Sequence, residues 1–262
     1  MVSIPDGYQN EFLFVIEFNN KRIKDLNPLL RKVIEDIFPN SNENSVIKSW
    51  RNHHNYEKAD ILIKIDTKIK TISIKKGSRN SVHVESLNTF EQFLKVQNIS
   101  PTTIEKYKLF HYGIDKNDKN KILSSNEYSH KYPDEINDIN DALSKIDINE
   151  IINRFLLVGR HTSYQIDGII YGTPNNFLWI NKEQIIKIIK KHISKKSSTV
   201  HISDLYIQPL NRCINNNSKY TWCKDYIQVK WYNLFDDIIE IMNNDGDWYG
   251  RLFLFILKEE TT

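Results

Sequence analysis

The stretch Asp60-Ile-Leu-Ile-Lys-Ile-Asp-Thr-Lys-Ile-Lys-Thr-Ile-Ser73-Ile-Lys75-Lys-Gly-Ser-Arg-Asn-Ser-Val-His-Val-Glu85 sets the frame for the chain. Residues 61–65 and 69–75 are rich in isoleucine at alternate positions, with polar residues between them except at Leu62, and Asp66-Thr67-Lys68 separates the two runs. That pattern predicts the two strands of a hairpin. Alternation puts Ile72 and Ile74 on one face of the second strand and Thr71, Ser73 and Lys75 on the other. The start of one hairpin strand lies beside the end of the next, so Asp60 and Lys75 are expected to converge at one sheet end. Gly77 then ends the strand.

Asp60 followed by Ser73-Ile74-Lys75 resembles the PD-(D/E)xK phosphodiesterase motif, a superfamily that includes many restriction endonucleases and DNA-repair nucleases. Two positions depart from it: Ala59 stands where the motif has Pro, and Ser73 where it has an acid. Members with Ser-x-Lys carry the missing carboxylate on the following helix, and Glu85, beside the expected helix 86–96, is preferred here over Glu91. The resemblance implies Mg²⁺ held by Asp60 and Glu85, with Glu35 of an earlier helix completing the set. Mg²⁺ is a hard cation that takes oxygen ligands and keeps several waters. Lys75 would orient a bound water or stabilise charge in the transition state, with Ser73 beside it in the catalytic set. Asp60, Ser73 and Lys75 would match by chance in many lysine-rich chains. Weight comes from the ordered set: a helix bearing Glu35, the hairpin, Lys75, a small-residue loop, then a helix with an acid at its start.

That loop, Lys76-Gly-Ser78-Arg79-Asn80, suits phosphate: small residues permit close backbone approach and the cations neutralise charge. With Arg51 of the aromatic and basic segment 48–58, it forms the expected nucleic-acid contact set. The Walker spacing is absent, so ATP hydrolysis has no support. His53-His54 are adjacent rather than four apart, which argues against a metal pair on a helix.

The remaining sequence bounds the setting. At 262 residues, 40% hydrophobic and 26% charged, the chain suits a folded protein of one large or two small domains. The net charge of +3 permits nucleic acid as a partner without demanding it. Two cysteines, Cys213 and Cys223, are too few for a disulfide framework or a structural zinc site, so a cytoplasmic setting is expected. No apolar run approaches the roughly 20 residues that span a bilayer, so no membrane role is expected.

Along the chain, residues 11–18 suit a buried strand, and Asn27-Pro28 opens an amphipathic helix running to Phe38. Ser100-Pro101 opens another helix, and 98–154 reads as a helical insertion between an N-terminal part (1–97) bearing the site and a C-terminal part (155–262). Residues 164–180 give two strands joined by Gly-Thr-Pro-Asn-Asn, followed by a basic helix from Asn181. Tyr226–Tyr232 and Trp248–Leu257 read as further strands. Gln228-Val-Lys230, with Asp204 upstream, is a competing location for the site, ranked lower because the intervening connection is long and no small-residue loop follows.

The expected fold is mixed α/β, a central sheet flanked by helices with a restriction-endonuclease-like core and a helical insertion. The expected function is Mg²⁺-dependent cleavage of DNA, as in a type II restriction enzyme. A dimer is the geometric expectation for an enzyme that cuts both strands of a duplex. The alternative is a non-catalytic nucleic-acid-binding or phage-host interaction protein on the same scaffold.

Overall fold

A computed structural model describes residues 6–53, 58–78, 80–160, 164–191, 199–212 and 218–244. Its elements in chain order begin with helices α1 (Asp6–Phe18) and α2 (Pro28–Ile37), then strands β1 (Ile47–Arg51), β2 (Ile61–Ile65), β3 (Lys68–Lys75) and β4 (Asn80–Ser86). Helices α3 (Leu87–Val96), α4 (Pro101–Tyr112), α5 (Ser125–Lys131), α6 (Pro133–Leu143) and α7 (Ile148–Ile152) follow. Strands β5 (Gly168–Thr173) and β6 (Asn176–Asn181), helix α8 (Lys182–Lys191), strands β7 (His201–Ile202), β8 (Leu205–Pro209) and β9 (Tyr226–Trp231), and helix α9 (Leu234–Asn244) complete the order. The expected strand at 248–257 lies outside the described residues. No helix among the described residues is long and apolar enough to cross a membrane.

The fold is mixed α/β, and the chain divides into two compact units: residues 1–80, 156–188 and 233–262 form the first, and residues 81–155 and 189–232 the second. The first is built on a five-stranded sheet of order β1-β2-β3-β5-β6. The β2–β3 hairpin is antiparallel with Ile61 opposite Ile72, and Asp66 takes the left-handed conformation (φ 55°) that its turn requires. The β3–β5 pair is parallel, which demands a crossover connection rather than a hairpin. Ile61, Ile63, Ile65, Ile72 and Ile74 form one core with α1 and α2. Ser73 and Lys75 therefore take the other face of β3.

Helix α1 corrects the expectation of a strand at 11–18. Asn10, Phe14 and Phe18 are buried at four-residue intervals, while Phe12, Leu13 and Ile16 are exposed. A stripe at helical spacing is thus satisfied although apolar residues stand on both sides of it. Asn20, at φ 62°, takes the left-handed conformation two residues past the helix end. Helix α2 starts as its sequence predicts: the Asn27 side chain accepts from the Leu30 N–H at 2.9 Å and Pro28 occupies the first turn.

The second unit has its own sheet, β4-β9-β8-β7, with α3 to α7. Helices are abundant between 98 and 154 as expected, but the compact body also takes in β4 and residues 189–232. Its core is aromatic, with Phe90, Tyr107, Phe110 and Tyr128 buried in edge and tilted ring contacts. The buried Arg212 guanidinium donates to the carbonyls of Phe110, His111 and Leu123, satisfying the open C-terminal end of α4. Gly113 ends that helix at φ 68°, where an added Cβ would sit 2.2 Å from the Leu123 carbonyl oxygen.

Candidate active site

Asp60 immediately precedes β2, fixed by its N–H to the Ile72 carbonyl (2.9 Å) and by its carbonyl to the Asn52 N–H (2.9 Å). Its carboxylate oxygen Oδ2 accepts from three donors that β3 supplies in succession: Ser73 Oγ at 2.8 Å, Ile74 N–H at 2.5 Å and Lys75 Nζ at 3.2 Å. The alternation read from sequence accounts for this, because residues 73 and 75 project to the same side while the intervening backbone amide faces the adjoining strand. Oδ1 takes part in none of these bonds. Both side chains of the pair are partly exposed, 24% for Asp60 and 18% for Lys75, so this is an accessible ion pair rather than a core one.

The second carboxylate at this place is Glu11, on α1. Its Oε2 is held by Arg51 Nε at 3.0 Å, and the Arg51 guanidinium lies over the Tyr8 ring at 4.7 Å from the centroid. Burial raises the Glu11 pKa above the usual carboxylate range, the negative charge of Asp60 raises it further, and Arg51 and Lys75 pull against both. Glu11 thus shares an electrostatic environment with Asp60 and Lys75. The sequence reading missed it because a strand at 11–18 hid the helix. The signal available was the four-residue spacing of Asn10, Phe14 and Phe18, which sets Glu11 beside the buried stripe.

A cavity of about 210 Å³ adjoins these groups, lined by Gly7, Asn10 and Glu11 of α1, by Ile74, Lys75 and Lys76, and by Asn80. Gly77, at φ 74°, turns the chain below it, and its carbonyl accepts from Asn80 Nδ2 (2.9 Å) and Tyr171 Oη (2.7 Å). Asn80, expected to meet nucleic acid, is buried and spends an amide hydrogen on this turn. Lys76 and Ser78 are exposed, and Arg79 lies outside the described residues.

Glu85 and Glu35 stand elsewhere in the chain's architecture than expected. Glu85 is on strand β4, one residue before the Ser86 cap of α3, and is a residue of the second unit. Its fully buried carboxylate is bound at both oxygens by Arg154, Nε to Oε1 at 3.2 Å and Nη2 to Oε2 at 2.5 Å, with His83 Nε2 at 3.5 Å from Oε1. Burial acts to raise its pKa, yet His83 and Arg154 together outweigh that and hold it below the usual value. A ligand role would require Glu85 to give up Arg154. Glu35 is exposed, off the buried Leu30, Val33, Ile34 and Ile37 stripe of α2, and forms no hydrogen bond or ion pair among the described residues. Of the competing set, Lys230 and Gln228 lie on β9 opposite Tyr206 and Gln208, and the buried Asp204 precedes β8.

Among the described residues no group of three or more His, Cys, Asp or Glu side chains is arranged to hold a metal. What the site offers is a carboxylate pair: Asp60 Oδ1 and Glu11 Oε1 carry none of the bonds described above. Carboxylate oxygens are the ligand type a hard divalent cation takes, and here each of the two is already paired with a cation, Asp60 with Lys75 and Glu11 with Arg51.

No protein-family model and no curated sequence matches the chain. Among solved structures, the fold is similar to that of the restriction endonuclease MspI in complex with its cognate DNA, with a TM-score of 0.45 and 12% identity over 84% of this chain and 87% of that one.

Proposed function

We propose that this chain is a divalent-cation-dependent nuclease that hydrolyses phosphodiester bonds of DNA, of the restriction-endonuclease kind. The observation that carries the reading is the convergence of Ser73, Ile74 and Lys75 on one oxygen of Asp60, with the Glu11 carboxylate in the same electrostatic environment. Asp60 and Glu11 would hold Mg²⁺. When bound, the cation supplies Lewis acidity toward the phosphate and a more acidic water. Ser73 and the Ile74 amide lock Asp60 in one rotamer, leaving Oδ1 for the cation. Lys75, at the strand end and partly exposed, would present an ammonium to the phosphate or to the attacking water. Arg51, Lys76 and the exposed Lys187 would supply phosphate-neutralising charge.

The test is cleavage of mixed DNA and RNA with and without Mg²⁺. Cleavage of DNA that requires Mg²⁺ and falls about 10²–10³-fold in both Lys75→Ala and Asp60→Asn is the expected result. If Lys230→Ala abolishes cleavage while Lys75→Ala leaves it intact, the catalytic centre lies at β8–β9. A folded wild type that binds DNA at low salt and cuts nothing would make the chain a non-catalytic binding protein.

A further inference from the structure

Helix α1 seats one side on the sheet of the first unit through Asn10, Phe14 and Phe18, with the Phe14 ring edge-on to Phe177 at 5.6 Å. Its other side is apolar as well: Tyr8 is 47% exposed, Phe12 54%, Leu13 44% and Ile16 49%. At helical spacing Tyr8, Phe12, Ile16, Gln9 and Leu13 fall in one arc of about 140°. No charged residue of the helix lies within that arc, in a chain that is 26% charged. A helix that is apolar all round is normally buried on all sides. The exposed halves of the two aromatic side chains come to roughly 200 Å² and, with Leu13 and Ile16, the patch to about 350 Å², the scale of exposed patches that serve as interaction sites.

We propose that this face of α1 is the interface of a homodimer, in which two copies of the helix pack antiparallel about a two-fold axis at Phe12. The spacing carries the choice of occupant. Tyr8 and Ile16 stand about one turn to either side of Phe12, so an antiparallel pair sets Phe12 against its own symmetry mate and Tyr8 of each copy against Ile16 of the other. That is the self-complementarity an isologous contact requires. The same arrangement puts opposite ends of the two helix dipoles side by side. A nucleic acid or an anionic lipid surface would need cations across this face; the arc has none, and the nearby Arg51, over the Tyr8 ring, is engaged by Glu11. Helix α9, from which the chain runs on past Asn244, lies on the far side of the sheet: Ile170 shares the core with α1, Tyr171 beside it points the other way, and Phe235 of α9 meets Tyr171 there at 5.6 Å. Two copies would bury about 700 Å² of this patch, below the roughly 1,200 Å² at which standard interfaces begin, so a dimer of micromolar strength is expected.

The experiment is analytical ultracentrifugation of the full chain without nucleic acid or metal over about 1–100 µM, with a micromolar monomer–dimer equilibrium as the expected result. Phe12→Glu and Phe12→Lys each place like charges across the axis and should weaken dimerisation about a hundredfold or more. An equimolar mixture of the two sets opposite charges across it and should associate at least about tenfold more tightly than either variant alone. Because Phe12 is exposed in the single chain, both variants should melt with the wild type at concentrations where all are monomeric. If a Phe12 variant does not fold, Ile16→Glu, which would face Tyr8 of the other copy, takes its place and must weaken the dimer likewise. A wild type that stays monomeric at the highest concentration overturns the proposal. So does association that continues past the dimer, a dimer that the variants leave intact, or a mixture that associates no better than its components. None of these results bears on the nuclease reading, which stands or falls by cleavage.

Discussion

Glu85 offers the sharpest separation between a ligand and a structural ion pair. Its carboxylate is fully buried, bound at both oxygens by Arg154, whose guanidinium also donates to the Thr89 carbonyl at 3.4 Å and covers the Phe93 ring at 4.5 Å. Glu85→Gln keeps the shape and one acceptor but leaves Arg154 facing a neutral group. Breaking a buried pair at one partner costs about 3–5 kcal/mol, and the partial exposure of Arg154, 18%, favours the lower end. Glu85→Gln/Arg154→Met removes both charges and should fall short of the sum of the single losses by about 1–3 kcal/mol. A second signature follows from the depressed pKa of Glu85. A carboxyl lowered on folding adds stability that is present above its unfolded value and is lost as pH falls through the folded one, so the variant should lack that part of the wild type's acid sensitivity. Urea unfolding at neutral and acid pH measures both, and Mg²⁺ affinity should match the wild type. A Glu85→Gln protein of unchanged stability that no longer binds Mg²⁺ would refute this reasoning and return Glu85 to the metal site.

Two further outcomes are expected. Glu11→Gln should lose Mg²⁺ affinity and cleavage together while stability changes by less than about 1 kcal/mol, because Arg51 retains solvent and the Tyr8 ring; cleavage at the wild-type rate would remove Glu11 from the site. His111 is pushed down to about 4, first by burial and then by the nearby Arg212, although its hydrogen bond to the Lys224 carbonyl and the charge of Asp225 act the other way. With an unfolded value of 6.5, the second unit should be at full stability above about pH 6.5 and lose up to about 3 kcal/mol as pH falls toward 4, a loss that His111→Gln abolishes in pH-dependent unfolding.

The hairpin was legible because isoleucine recurs at every second position over Ile61–Ile65 and Ile72–Ile74, and the β2–β3 register follows from the short Asp66 turn. Helices α2 and α4 were legible from Asn27-Pro28 and Ser100-Pro101, and the Asn27 and Ser100 side chains do cap them, accepting from the Leu30 and Thr103 N–H groups. Helix α1 was not, since Phe12, Leu13 and Ile16 place apolar groups on its exposed side and erase the contrast on which periodicity depends. Strand β4 was not either: Asn80-Ser-Val-His-Val-Glu-Ser is polar, and its partner β9 lies about 140 residues away, a pairing that no local pattern encodes.

The consequences for the site all trace to Ser73. An acid at that position would stand beside Asp60 and need its own compensation; a hydroxyl donates to Asp60 instead and fixes one carboxylate oxygen. The strand pair then carries a single negative charge, already met by Lys75, and a cation site needs its second carboxylate from elsewhere. In the proposed reading Glu11 would supply it from a helix nearly 50 residues upstream, at the cost of burying an acid near Asp60, against which Arg51 acts. Two carboxylates and two cations therefore balance in the absence of metal, and each cation is also a group able to meet phosphate. Binding a divalent ion between Asp60 and Glu11 would loosen the hold of both on Lys75 and Arg51. Those two side chains would then be available to the phosphate that approaches the ion.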